Sequence, residues 1–136
     1  MLDGNLQVET FVAVGGVAYG FQNCDRKHKA CNDHSSMYCG SLLLKELNSQ
    51  PNRFEGNYTY AILSFADDVL GVYCCNHKCA ELRHAIFSIG FPDMDHLTIS
   101  SATKFLQLAC LDHPQLKDIR RSAKFFADGT KIITDY

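Results

Sequence analysis

The stretch "NYTYAILSFADDVLGVYCC", residues 57–75, carries two near-continuous apolar runs separated by Ala66-Asp67-Asp68. Apolar runs without polar alternation mark strands covered on both faces, so this pair is expected in the middle of a sheet. Asp is favoured in tight turns because its carboxylate accepts from nearby amides. Asp67 and Asp68 therefore read as the turn of a hairpin before they read as a carboxylate pair.

Upstream, "VETFVAVGGVAYGFQ", residues 8–22, holds two apolar runs that meet at Gly15-Gly16. A Gly-Gly connection suits a two-residue hairpin turn, which needs positive φ at both positions, and predicts strands near 7–14 and 17–22. Ser35 or Ser36 then suits the cap of a helix running to about Asn48, with Met37, Gly40, Leu44 and Leu47 along one face. Downstream, Cys79, Leu82, Ile86 and Ile89 recur three and four apart and predict a second helix after Asn76. "GFPDMD", residues 90–95, breaks it, and Thr98 or Ser100 is expected to start another with Ala102, Phe105, Leu106 and Ala109 toward the core. Asp112 and Pro114 open a last helix striped by Leu116, Ile119, Ala123 and Phe126, before a short strand at "KIIT".

The order ββαββααα predicts an α+β fold with a mainly antiparallel sheet of about four to five strands and three to four helices packed on it. By topology it is similar to the profilin-like and longin-like sandwiches, a resemblance that implies protein contacts in trafficking and signalling. A length of 136 residues suits a single domain over 1–136, and 46% hydrophobic with 21% charged residues is an ordinary globular balance. A net charge of −2 gives no global attraction for nucleic acid. No run approaches the roughly 18 apolar residues of a membrane span. "MLDGNLQVETF" lacks a basic region followed by an apolar one, so the chain is expected to be intracellular, cytoplasmic or nuclear.

Seven cysteines without an export signal then read as thiols or metal ligands rather than a disulfide framework. The Asn57-Tyr58-Thr59 sequon, inside an expected strand, reads as coincidental. "NCDRKHKACNDHSSMYC", residues 23–39, offers Cys24, Cys31, His34 and Cys39 as zinc ligands, because zinc takes thiolate and imidazole groups from short loops. "CCNHKC", residues 74–79, offers a second group, although neither has two regular ligand pairs.

Cys39 also falls in the first turn of the expected helix, where free amides and the helix dipole favour thiolate. That arrangement resembles papain-like hydrolases, with His77, His96 or His113 as the base. The last helix presents Lys117, Arg120, Arg121 and Lys124 on one face, suited to an acidic partner. The first hairpin offers a sheet edge through which a homodimer or partner protein would pair. The sequence reading is therefore a non-enzymatic adaptor or regulatory domain binding another protein, with a zinc-stabilised loop at residues 24–39. A small cysteine hydrolase using Cys39 is its alternative.

Overall fold

The computed structural model describes residues 8–34, 37–51, 55–114, 117–119 and 131–133. Its elements are β1 (Thr10–Val14), α1 (Leu42–Ser49), β2 (Tyr58–Ser64), β3 (Tyr73–Cys74), β4 (His77–Lys78), β5 (Phe87–Phe91), α2 (His96–Ala102), α3 (Lys104–Cys110) and β6 (Lys131–Ile133). The main sheet runs β1-β2-β5-β6, while β3 and β4 form a separate two-stranded ribbon. β1, β2 and β5 are parallel, and only β6 joins antiparallel.

The mainly antiparallel sheet is therefore corrected, and the profilin-like and longin-like topology goes with it. Burial of residues 58–64 is as the apolar run implies, since Thr59 through Ser64 are all buried. Strand direction is different, because a continuous apolar run marks a strand covered on both faces and parallel strands are the commoner case. Gly15 has φ +55, but Gly16 has no positive φ, so the two do not form a reversing hairpin turn. The chain leaves β1 and crosses through α1 before entering β2 in the same direction. Asp67 and Asp68 likewise do not return the chain. The hairpin lies further on, where Cys75 and Asn76, at φ 53 and 66, turn β3 into β4.

The helix expected after Asn76 is also absent. Leu82 and Ala85 are buried within turns, and Phe87–Phe91 is a strand. The three-and-four spacing arose by chance from a turn packed on one face of the sheet and a strand within the sheet. α1 starts later than expected, with the Ser41 hydroxyl accepting from the Leu44 amide. The segment beyond "GFPDMD" is helical, but it forms two helices, α2 and α3, the first capped by Asp95 rather than Thr98 or Ser100, and Ala102 and Phe105 face solvent.

Register explains the core. Val12, Tyr60 and Phe87 lie side by side across three strands, and Val14, Ile62 and Ile89 form the next row. These rows pack against Ile99, Leu106, Cys110 and Ile119 from the helical layer. Each fully buried aliphatic or aromatic side chain here contributes about 1.5–3 kcal/mol of transfer free energy. The opposite face carries the smaller row Ala13, Ala61 and Ser88. Leu82, Ala85 and Ala18 pack there.

The segments over that second face are tied covalently. Cys24 is bonded to Cys31, Cys39 to Cys75, and Cys74 to Cys79. Arg83 adds a polar clasp, donating to the Asn48 and Gln50 carbonyls at the end of α1. Three disulfides persist in oxidising surroundings and are rare in cytosol or nucleus, so the intracellular expectation is corrected to an extracellular or secreted setting. Among the described residues no helix is long and apolar enough to cross a membrane.

Candidate active site

Open sheets with parallel strands gather their functional groups outside the carboxyl ends of those strands. Here β1 ends into Gly15, β2 runs out through Phe65 and Ala66 to Asp67, and β5 runs out to the turn before His96. The β2 and β5 exits are pinned together. The Phe65 amide donates to the Phe91 carbonyl, and the Ser64 hydroxyl donates to the Phe91 and Met94 carbonyls. Beside them Gly90 leaves room for the Phe65 ring, which would stand 2.5 Å from a Cβ at that position.

This packing sets Asp67 against His96. The Asp67 side chain is 3% exposed, and each carboxylate oxygen has a separate task. Oδ1 accepts from the Val69 amide at 3.0 Å and the Leu70 amide at 2.7 Å. Oδ2 lies 2.8 Å from His96 Nδ1. With one oxygen held by two amides the carboxylate cannot rotate freely, so its second oxygen stays aimed at the ring. Asp67 is thus a turn residue, as its sequence context implies, and a histidine partner as well.

His96 is held from its backbone as well as from its ring. It is the first residue of α2, and its amide donates to Asp68 Oδ1 at 3.1 Å. Asp95 caps the helix by accepting from the Leu97 and Thr98 amides and from the Thr98 hydroxyl. Those bonds, the Thr98 amide foremost, hold the Asp95 carboxyl below the usual carboxylate range. Gly15 closes the other side of the ring. A Cβ built there would sit 3.5 Å from the imidazole, and the positive φ independently disfavours any side chain. His96 Nε2 has no hydrogen-bond partner among the described residues, and the side chain is 28% exposed. The result is an imidazole oriented through Nδ1 and accessible through Nε2.

A cavity of about 470 Å³ runs alongside β1, from Val8 and Glu55 to Gly16 and Val17. Phe11, Ala13, Gly16 and Val17 form its floor along β1, with Leu44, Leu47 and Leu82 among its other apolar walls. Gly16, at one end of the cavity, follows directly on the glycine that faces His96.

The residues singled out from sequence fare differently. Cys24 and Cys31 are bonded to each other and Cys39 to Cys75, so the zinc quartet with His34 retains no thiolate, and His34 is exposed. No metal-binding group occurs among the described residues, which leaves zinc unsupported. The bridge at Cys39 also removes the thiolate that a cysteine hydrolase would need. His77 is stacked on Tyr19, and His113 is stacked on Tyr58 and bonded to Thr10. Lys117 is exposed on a helical turn, while Arg120, Arg121 and Lys124 lie outside the described residues. What sequence reasoning missed is the pairing of Asp67 with His96. The available signal was that each follows the carboxyl end of an apolar run.

The family described as Lipase (class 2) matches residues 4–109, most of the chain and all of the site just described. The chain belongs to that family. No curated protein and no solved structure matches it.

Proposed function

From membership of the class 2 lipases, we propose that this chain carries the general base and orienting carboxylate of a carboxylic-ester hydrolase, His96 and Asp67. The supporting observation is the 2.8 Å contact from Asp67 Oδ2 to His96 Nδ1, with Nε2 open at the carboxyl end of a parallel sheet. A hydroxyl nucleophile gives its proton to Nε2 while its oxygen bonds to the ester carbonyl carbon, moving the carbonyl π pair onto oxygen. Collapse breaks the bond to the alcohol, which leaves with the proton from Nε2. Water then repeats the sequence and releases the acid. Asp67 keeps the proton on Nδ1 and stabilises the imidazolium formed midway. The apolar cavity beside Gly16 suits a hydrocarbon acyl group.

We place the nucleophile on a further strand paired with β1. β1 is an edge strand, with apolar hollows on both faces: one over Phe11 and Ala13, the other between Val12, Leu108 and Leu111. Parallel sheets are ordinarily covered on both faces. A further parallel strand paired with β1 would end beside Gly15, within reach of His96. The adaptor reading keeps this same open edge as its supporting observation, with a partner chain as the added strand.

The test is hydrolysis of p-nitrophenyl butyrate by the full-length protein carrying this sequence, followed by mapping of a fluorophosphonate adduct. Expected are a loss of about 10³-fold or more for both His96→Ala and Asp67→Asn, and an adduct on a serine outside residues 8–119. Hydrolysis indifferent to both substitutions would leave the adaptor reading. An adduct on a described serine would remove the added-strand placement alone.

A further inference from the structure

The oxidising setting changes the meaning of a motif that an intracellular chain would carry by coincidence. Asn57-Tyr58-Thr59 is the one Asn-X-Ser/Thr triplet in the sequence, and its middle residue is not proline. The triplet begins where the chain bends into β2. Asn57 is exposed, and its backbone amide donates to the Val8 carbonyl at 3.0 Å. Its side-chain amide has no hydrogen-bond partner among the described residues. Thr59 turns inward, donating its hydroxyl to the Gly56 carbonyl at 3.3 Å. The bend at Asn57 leaves the asparagine exposed, while the strand it opens buries the threonine.

We propose that Asn57 is an N-glycosylation site. The donor is an oligosaccharide linked through pyrophosphate to a lipid, as supplied in a secretory compartment. The Asn57 Nδ2 atom bonds to the anomeric carbon, the bond from that carbon to the pyrophosphate oxygen breaks with its electron pair going to the leaving group, and the amide nitrogen loses one proton. No internal bond has to break to free the acceptor.

The location is remote from the Asp67–His96 pair. β2 is seven residues long, so at about 3.3 Å per residue its start lies roughly 20 Å from the end that leads to Asp67. At the start, half-exposed Val8 and Tyr58 flank the asparagine. A glycan rooted there covers that apolar margin with a hydrated chain. This inference rests on the disulfides and the exposed sequon, and it holds whether or not the chain hydrolyses esters.

The experiment is expression through the secretory pathway of a eukaryotic cell, with intact mass measured before and after peptide-N-glycosidase. Wild-type protein is expected to lose one glycan on treatment and to yield a peptide in which residue 57 has become aspartate. Asn57→Gln is expected to show one unchanged mass. Thr59→Ser keeps the sequon while altering the buried position, and should retain glycan. Secreted wild-type protein whose mass does not respond to the enzyme would overturn the proposal. Should Asn57→Gln be retained in the cell, the wild-type mass and the converted residue still decide it.

Discussion

The two faces of the parallel sheet are covered by different means. On the helical side, large rows meet a continuous apolar layer, and Phe87, Ile89 and Phe91 from one strand are all essentially inaccessible. On the other side the row is Ala13, Ala61 and Ser88, and its cover includes turns tied by disulfides with a short helix of which no residue is buried. Small side chains bury too little area to fix an overlying segment, so covalent bonds take over what burial does opposite. The proposed active pair draws on both sides. Asp67 introduces the disulfide-laced segment, whereas His96 opens the helical layer.

The largest expected effect belongs to the packed face. Phe87→Ala removes a fully buried ring that touches Tyr60, with centroids 4.6 Å apart, and should destabilise by about 3–5 kcal/mol in denaturant unfolding. A cost under about 1 kcal/mol would mean the helical layer is not the main support. Next comes the laced face. Cys39 and Cys75 are 36 residues apart, and replacing both with serine should cost about 2–4 kcal/mol. Hydrogen exchange should rise around residues 70–79 more than in β5. Equal loss of protection in both regions would erase the division between the faces.

A third substitution tests whether small residues on the laced face are required or merely tolerated. Gly90→Ala sets a methyl 2.5 Å from the Phe65 ring, backed by the Leu63 side chain at 3.3 Å. Overpacking of this kind costs about 1–3 kcal/mol. Because Phe65 lies between Ser64 and Asp67, its displacement should also lower ester hydrolysis through the Asp67–His96 alignment. The combination with Phe65→Ala should recover part of the stability. Failure of that recovery would show that the glycine answers some other constraint.

The same contrast explains which parts of the fold were legible in the sequence. The apolar rows of residues 58–64 announced their burial because every side chain along β2 after Tyr58 has a covered environment. Direction was hidden: parallel and antiparallel partners ask the same of such a strand, and the difference lies in a crossover of more than forty residues between Val14 and Tyr58. β5 was misread because Leu82, from a turn, and Ile89, from a strand, fell by chance at helical spacing. Cysteine spacing could not reveal pairing, since Cys39 and Cys75 meet only after that crossover. Asp67 and His96 were each visible as residue types. Their union depends on the parallel register that the sequence left open.

Cys110 gives the smallest and most selective prediction. It is the free cysteine among the described residues, fully inaccessible within the apolar layer, while the six others are bonded around the laced face. Burial without a counter-charge pushes its thiol up to about 12 from an ordinary 9.0. The folded protein thus keeps this proton when the unfolded chain has lost it. Stability from Cys110 is complete below about pH 9 and declines as the pH rises from there toward 12. Between pH 7 and roughly 8.5, iodoacetamide should leave Cys110 unmodified in native protein, and its labelling rate should follow opening of the helical layer. Gentle reduction should expose the half-buried Cys39 and Cys75 to reagent while Cys110 stays protected. Labelling of Cys110 at the same rate as those two would show that the two faces open together, and that burial on one side depends on the disulfides of the other.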